Sequence, residues 1–472
     1  MSGPLALRWR PFHFPLPQPL VTARGVVVER CGWLLRLEAA DGRLGWGEAA
    51  PLELGAAWAG ASPAGAAAGV TAGSDPERPP AEAPHPPGTA HRACAAAIAA
   101  LGPQAELAAL EEALPWLPAP LAFAIGAALA ELQGLVGEAA GGWGAAPASA
   151  WLLPAGEAMV PALEAWLASP DPCREVADPC GGMTRSVDGM APGSGPAARP
   201  LAPAPPLGKP PATGTRAAAP QGGAAAAEGP EQERSDLAAG PWVPGPRVPG
   251  PWVPDPWVPD PWVEGHRAGG LRSSASPATR GAMEPGPTLK WKVAASDDRL
   301  ERELLEHLLE RLPADGRLRL DANGGWDRAT AAGWADRLAG EPRLEWLEQP
   351  LAADDLEGLT ALAERVPVAL DESLALDPGL RERWTGWQVR RPALEGDPRP
   401  LLAALAAGRP HWMVSTAFET SIGRRLVDHA AALQWRGPTP TAPGLAPQWR
   451  PRGPLFSGDP ATAWATLAEG ER

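Results

Sequence analysis

The chain has 472 residues, enough for two or three domains, and a formal net charge of −14. Nucleic acids bind basic surfaces, so this charge excludes them as partners and suits a soluble cytoplasmic protein. The amino terminus lacks signal-peptide features, the apolar stretch 121–137 is too weak for a membrane span, and the four cysteines show no CxxC spacing. The sequence leaves the oligomeric state open.

The first 169 residues mix strand and helix patterns. Residues 1–54 indicate strands, with a hairpin turn at Asp41–Gly42. The Ala- and Leu-rich stretches 89–114 and 119–137 predict helices, and we expect the second to be buried. A short apolar run at 148–156 predicts a buried strand, and 156–169 has helical spacing.

Residues 170–283 differ in character from the rest. They are dominated by Pro, Gly, Ala and Ser, and 241–265 repeats the units PWVPG, PRVPG, PWVPD, PWVPD and PWVEG. This density of proline opposes helices and central strands, so we predict a long disordered or polyproline-like insert. The repeats could present Trp to a partner, but neutral expansion of a repeat explains them better.

After residue 287 strands and helices alternate regularly. Together with strand 149–154 this makes seven strand–helix units, a pattern that predicts a parallel sheet closed as a (β/α) barrel. The predicted strands are 288–293, 317–325, 344–350, 366–373, 387–394 and 411–419, and the predicted helices are 297–312, 327–339, 353–365, 377–384, 398–407 and 421–434.

Three acids end three successive predicted strands: Asp321, Glu348 and Asp371. In such a barrel the carboxyl ends of the strands form the rim that carries active sites. Three carboxylates there would repel one another without a cation, and hard oxygen ligands favour Mg²⁺, with Mn²⁺ as a substitute. A single acid could instead cap a helix, but three in succession favour the metal.

Two of the chain's three lysines, Lys290 and Lys292, lie one strand earlier. Residues i and i+2 share a strand face, so both ammonium groups should point into the barrel mouth while Leu289, Trp291 and Val293 pack against helices. A lysine beside another cation has a lowered pKa and can act as a base, which arginine cannot. With a metal, it could remove a proton α to a carboxylate while the metal stabilises the enediolate.

These motifs carry a family resemblance. TLKWKV, LRLDANGGW, LEWLEQPL and ALDESL resemble the enolase superfamily, in its muconate-lactonising subgroup and more narrowly the o-succinylbenzoate synthase family; so do PLVTARG, LGWGEAAPL, WLLPAGEA and VSTAFETSIG. The resemblance covers about 1–169 and 284–456. It implies an α/β fold, a (β/α) barrel with an N-terminal α+β capping domain, interrupted by the insert.

The resemblance also implies an activity, the Mg²⁺-dependent dehydration of 2-succinyl-6-hydroxy-2,4-cyclohexadiene-1-carboxylate to o-succinylbenzoate in menaquinone or phylloquinone biosynthesis. Lys292 would remove the α proton and return it to the departing hydroxide, with Lys290 tuning it. Asn323 would support the site, and the 16–25 loop would close over a small carboxylate substrate. The residues expected to contact the succinyl chain or shape its pocket are Ser415, Thr416 and Glu419.

One position departs from the family. Where relatives carry a lysine, this chain has Arg391. Arginine is a poor base, which argues against epimerase activity, but it can stabilise a ring anion, so we retain it as a catalytic residue. The alternatives are a muconate-lactonising or dipeptide-epimerising enzyme of the same superfamily, and a non-catalytic relative whose Pro–Trp insert binds a partner.

The domain boundaries follow from these patterns. We assign 1–115 to the capping domain, 116–169 to the first part of the barrel, 170–283 to the insert, 284–456 to the rest of the barrel and 457–472 to a C-terminal tail.

The insert joins a helix to the next strand, at the amino-terminal face of the barrel and away from the chemistry. Long insertions there cost little entropy. We therefore expect replacement of 171–283 by a short Gly/Ser linker to leave turnover unchanged. A folded deletion protein, checked by circular dichroism, that had lost turnover would contradict this.

Overall fold

The computed structural model describes residues 3–22, 25–52, 88–168 and 286–467. They all belong to one of the two units of the chain, Met1–Met183 with Ala282–Arg472. The predicted insert, 170–283, and its repeats lie outside the described residues, so the disorder and the domain boundaries assigned there stay predictions. No helix in the described ranges is long and apolar enough to cross a membrane.

The amino-terminal part forms a four-stranded antiparallel sheet in the order β3-β2-β1-β4. The predicted turn at Asp41–Gly42 joins β2 to β3, and Gly42 has a φ of 83°, which glycine adopts without strain. The strands are β1 Leu5–Thr22, β2 Gly25–Glu38, β3 Leu44–Ala49 and β4 Gln104–Ala105.

Residues 16–22 do not form part of the loop expected at 16–25, and residues 23–24 lie outside the described ranges. β1 continues to Thr22 and β2 begins at Gly25, so that Leu20 pairs with Val27. The pairing is irregular only between Pro15 and Leu20. Alternate prolines explain the irregularity, because Pro15, Pro17 and Pro19 have no N–H to donate to the neighbouring strand.

Three helices pack beneath this sheet: α1 Thr89–Leu101, α2 Leu107–Ala113 and α3 Ala119–Leu132. The expectation that the Ala-rich stretch forms a buried helix is confirmed. One face of α3 lies in the core of the capping sheet, and Phe123 and Ala127 on the other face pack in a second core with the barrel. This helix therefore joins the two parts of the molecule.

Within the described residues the barrel contains seven parallel strands in sequence order, from β5 to β11. They are β5 Trp151–Leu153, β6 Thr288–Lys292, β7 Arg317–Asp321, β8 Leu344–Glu348, β9 Val368–Leu370, β10 Trp387–Arg390 and β11 Trp412–Val414. The helices between and after them are α4 Met159–Ala168, α5 Asp298–Arg311, α6 Arg328–Leu338, α7 Leu356–Ala363, α8 Glu372–Leu376, α9 Leu380–Arg383, α10 Arg399–Ala406, α11 Ser421–Trp435 and α12 Pro460–Ala465.

An extended segment, 441–446, connects the two edges of the parallel sheet. On one side Gly444 N donates to Val414 O at 2.9 Å, and on the other Ala150 N donates to Pro443 O at 2.9 Å. Leu445 N also donates to Ser149 Oγ at 3.0 Å. The segment thus takes the place of an eighth strand, and the predicted barrel is confirmed.

Side chains alternate between the barrel interior and the helices. Leu289, Trp291 and Val293 pack in the outer core, as predicted. Deep inside the barrel the fully buried Arg319 stacks on Trp346 at 4.2 Å. Its guanidinium donates to Thr441 Oγ1 and Ala442 O, both at 2.7 Å, so it also fixes the closing segment.

Residues 457–467, part of the predicted tail, are folded. Within them α12 places the buried Trp464 against Trp46 of β3, with ring centres 5.6 Å apart. Arg10 of β1 donates to Trp464 O at 2.7 Å. The end of the described chain therefore returns to the capping sheet.

Strand β3 lies directly on the backbone of α3, and a Cβ added at Gly47 would overlap Ala124 O. We expect Gly47→Ala to lower the free energy of unfolding by about 1–3 kcal/mol, because backbone cannot move aside as a side chain can. The measurement is urea denaturation. Gly340→Ala is the control, since its Cβ would meet no atom within 4 Å; equal stability of the two variants would contradict the close packing.

Candidate active site

A cavity of about 300 Å³ opens at the carboxyl ends of the barrel strands. The capping sheet contributes Leu20 and Val27 to its wall, so the cavity lies between barrel and cap. The predicted site residues that line it are Lys290, Lys292, Asn323, Asp371, Arg391, Ser415 and Thr416. Of the other predicted residues, Asp321 and Glu348 contact the lysines directly, while Glu419 lies behind Thr416.

The lysines and carboxylates form one buried charge layer. Lys290 Nζ donates to Glu348 Oε1 at 2.6 Å and lies 2.8 Å from Asp321 Oδ2. Lys292 Nζ donates to the same Asp321 oxygen at 2.6 Å. The guanidinium of Arg391 pairs with both oxygens of Asp371. The structure therefore brings together all six groups that the strand-end pattern singled out.

The pairing decides the ionisation of these groups. Burial alone would raise the pKa of Asp321, but Lys290 and Lys292 outweigh it and hold that pKa well below its usual range. Burial would likewise lower the pKa of Lys290, but Asp321 and Glu348 reverse the effect and raise it. The two carboxylates, rather than the neighbouring cation Arg391, therefore decide the charge of Lys290.

Two buried side chains hold the loops that carry the charged residues. Glu301 of α5 accepts hydrogen bonds from the backbone N–H groups of Ala294, Ala295 and Ser296, just after Lys292. Gln349 follows Glu348, and its Oε1 accepts from the N–H groups of Asp371 at 3.1 Å and of Ser373. The ends of β6, β8 and β9 are thereby fixed by side chains rather than by strand pairing alone.

A polar chain leads from Lys292 into the cavity wall. Lys292 Nζ donates to Asn323 Oδ1 at 2.8 Å, and Asn323 Nδ2 donates to Glu372 Oε1 at 3.1 Å. Burial, with added repulsion from Asp371 and Asp321, raises the pKa of Glu372 to about 7. Asn323 thus supports the lysine, in line with the supporting place that the family motif gives it.

The capping sheet reaches the same rim through Glu48 of β3. Glu48 Oε2 accepts from Thr420 Oγ1 at 2.5 Å and from Gly423 N at 3.0 Å, at the amino end of α11. Next to it, Glu419 accepts from Thr416 Oγ1 at 2.5 Å and from Ala417 N. Glu419 therefore shapes the segment that lines the cavity, without lining the cavity itself.

Sequence reasoning missed Glu48, Glu301, Gln349 and Glu372. Two of them could have been found, because Gln349 and Glu372 directly follow Glu348 and Asp371 in the strand-end motifs. The roles of Glu48 and Glu301 depend on contacts with distant backbone groups. No local pattern signals such contacts.

The donor set at the rim is of the kind that a divalent cation uses. As the side chains stand, no three acidic, histidine or cysteine residues of the described ranges converge on one point, because cations lie between the carboxylates. Yet Glu348 Oε2 is buried and has no hydrogen-bond partner. A buried carboxylate oxygen without a partner is costly, so it fits a ligand for a hard cation.

Comparison with known proteins shows which proteins this geometry resembles. The family described as Enolase C-terminal domain-like matches residues 279–381. The crystal structure of o-succinylbenzoate synthase from Thermosynechococcus elongatus BP-1, complexed with Mg in its active site, superposes with a TM-score of 0.55 and 23% identity over 98% of each chain. The chain has the enolase-superfamily fold.

The sequence likeness is to the same group. Over 153 residues the chain is 40% identical to o-succinylbenzoate synthase of Thermosynechococcus vestitus, covering 30% of this chain and 47% of that protein. Over 168 residues it is 36% identical to o-succinylbenzoate synthase of Thermobifida fusca, covering 34% and 51%. The chain thus spans about half the length of the curated relatives that it matches, and the resemblance drawn from its motifs is confirmed.

Burial, with repulsion from Glu419, raises the pKa of Glu48 to about 7, although Thr420 and Gly423 oppose the shift. The folded state then binds more protons than the unfolded state between about pH 4.5 and 7, so stability falls as pH rises through this window. Because glutamine does not titrate, the free energy of unfolding of Glu48→Gln should fall less over this window than that of the wild type, by up to about 3 kcal/mol. The measurement is urea denaturation at several pH values.

The matched control for this prediction is Glu303→Gln, since Glu303 is exposed and pairs with Arg299, which does not titrate in this window. Its pH dependence should follow that of the wild type. A Glu48→Gln protein with the wild-type slope between pH 4.5 and 7 would contradict the assignment.

Proposed function

We propose that this chain is a hydro-lyase that dehydrates 2-succinyl-6-hydroxy-2,4-cyclohexadiene-1-carboxylate to o-succinylbenzoate, a step of menaquinone or phylloquinone synthesis in the cytoplasm. The observation that carries the proposal is the position of Lys292: its ammonium lines the cavity and lies 2.6 Å from Asp321. The identity to o-succinylbenzoate synthases supports the choice of reaction.

Lys292 would move the proton. As the free amine it takes the α proton of the substrate, and the electrons of that C–H bond pass to the ring carboxylate. Their return expels the hydroxyl group, which leaves with the proton now held by Lys292, so that water and an aromatic ring result. One group serves as base and then as acid, as a syn elimination on one face requires.

The other residues would bind and orient the substrate. Lys290 and Arg391 give the cavity positive charge, and Ser415 and Thr416 line its wall. Leu20, Val27 and Phe418 provide apolar surface for the ring and the succinyl methylenes. A small carboxylate suits this mixture of cations and apolar surface, and β1 and β2 would cover it from the capping side.

Asp321, Glu348 and Asp371 would hold Mg²⁺, with Mn²⁺ as a substitute, as the chemistry of their oxygens and the unpartnered Glu348 Oε2 suggest. Bound there, Mg²⁺ would supply positive charge to the substrate carboxylate and make the α proton more acidic.

Arg391 favours dehydration over racemisation or epimerisation. Those reactions need a base on each face, and Arg391 is fixed in its charged form, since Asp371 raises its pKa above an already high value despite burial. Lys292 would then carry the proton on one face of the substrate ring only, and a dehydration needs a base on one face only.

The test is ultraviolet detection of o-succinylbenzoate formed by purified protein from the cyclohexadiene substrate. We expect turnover with Mg²⁺, loss with EDTA and recovery when Mg²⁺ is restored. Lys292→Arg should lower kcat by at least about a thousandfold, because arginine keeps the charge but cannot transfer the proton.

The control is Arg337→Lys, since Arg337 pairs with Glu306 between helices α6 and α5 and neither residue lines the cavity. It should retain wild-type kcat. Undiminished turnover in the Lys292→Arg protein would refute the role of Lys292. Absence of turnover in a folded wild type that binds Mg²⁺ would point to another acid substrate.

A further inference from the structure

Each of the three guanidinium nitrogens of Arg391 donates a hydrogen bond, and the three bonds go to two neighbours. Nε donates to Asp371 Oδ1 at 2.9 Å, Nη2 pairs with Asp371 Oδ2, and Nη1 donates to Thr416 O at 3.0 Å. Both oxygens of Asp371 are therefore taken by one rigid fork. Because Arg391 stays protonated, loss of a proton cannot release them.

The other two carboxylates of the predicted metal set are not held by a guanidinium fork. Lys290 and Lys292 meet only one oxygen of Asp321, and the other accepts from Asn323 N at 3.1 Å. Glu348 accepts from Lys290 through Oε1 and keeps Oε2 without a partner. An ammonium is a point charge, so its contacts leave lone pairs free that a guanidinium fork does not.

We infer that Arg391 competes with the divalent cation for Asp371, so that this one side chain sets the metal affinity of the site. The inference rests on the proposed function only in its assignment of Asp321, Glu348 and Asp371 to the metal. A lysine at this position could contact one Asp371 oxygen at a time and would leave the other available. The chain should therefore bind Mg²⁺ more weakly than its Arg391→Lys variant does.

The experiment is isothermal titration of Mg²⁺ into the full chain after removal of metal with EDTA, with no substrate present. We expect Arg391→Lys to lower the Kd about tenfold, because one charge-assisted hydrogen bond to Asp371 is lost while the charge is kept. Arg337→Lys is the matched control. It alters a fork of the same kind, in which Nε and Nη2 donate to the two oxygens of Glu306 at 2.6 Å outside the cavity lining, and it should leave the Kd unchanged.

A second comparison separates the fork from simple charge repulsion. If Arg391 keeps Asp371 from binding the metal, Asp371→Asn should raise the Kd for Mg²⁺ only slightly when Arg391 is present. In the Arg391→Lys background the same substitution should raise the Kd much more. Additive effects would overturn the inference. The inference would also be overturned if Arg391→Lys kept the wild-type Kd while Arg391→Met bound Mg²⁺ more tightly. The charge of Arg391, and not its fork, would then explain the difference.

The outcome is independent of the proposed reaction. If the variants show this order of affinities but the protein does not dehydrate the cyclohexadiene substrate, the competition at Asp371 is supported and the proposed substrate is wrong. If the wild type dehydrates the substrate but the Arg391→Lys variant binds Mg²⁺ no more tightly, the proposed function is supported and the competition is wrong. Circular dichroism of each variant verifies that it is folded.

Discussion

The structure of the site depends on a balanced layer of buried charge. Three cations, Lys290, Lys292 and Arg391, meet three carboxylates, Asp321, Glu348 and Asp371, inside a barrel that excludes most water. Burying such charges is costly unless every one is paired, so the layer is stable only as a whole. Its members come from five strand ends, and the fold must hold all five in register.

The register of the sheet supplies that condition. Lys292 pairs with Asp321 across β6 and β7, and Asp321 pairs with Glu348 across β7 and β8. A slip by one residue would turn the charges outward into the helix-facing core around Leu320 and Leu347 and bring leucines inside. The charged layer and the apolar core thus specify the same alignment. The network that we propose to be catalytic also opposes wrong pairings of the parallel strands.

The capping sheet is bound to this layer by polar contacts as well as by apolar packing. Glu48 bonds the backbone of Thr420 and Gly423, and Glu419 beside it holds the segment that lines the cavity. Helix α3 shares its two faces between the capping core and the barrel core. The cavity wall contributed by Leu20 and Val27 is therefore held at a defined height above the lysines, rather than resting on them as an independent lid.

Much of this could be predicted from the sequence, because the signals are local. Strand alternation around Trp291 predicted which way Lys290 and Lys292 point, and the strand-end positions of Asp321 and Glu348 predicted their convergence. The predictions that failed concern contacts between residues that are far apart in the sequence. The family resemblance implied a loop at 16–25, where strands β1 and β2 pair instead, and the closing segment 441–446 has no strand pattern of its own. The pKa of Lys290 depends on carboxylates that lie 58 and 31 residues away along the chain.

Arg391, which stands where relatives carry a lysine, shows how one side chain can affect a whole layer of paired charges. In a balanced set of six charges no member can change its contacts without altering the partners of the others. A fork that occupies both oxygens of Asp371 leaves Asp321 and Glu348 as the carboxylates with lone pairs to offer, on the same side as the two lysines. A cation held mainly by Asp321 and Glu348 would lie beside the two lysines. A replacement of Arg391 that frees Asp371 would therefore change the metal affinity and the charge around Lys292 together.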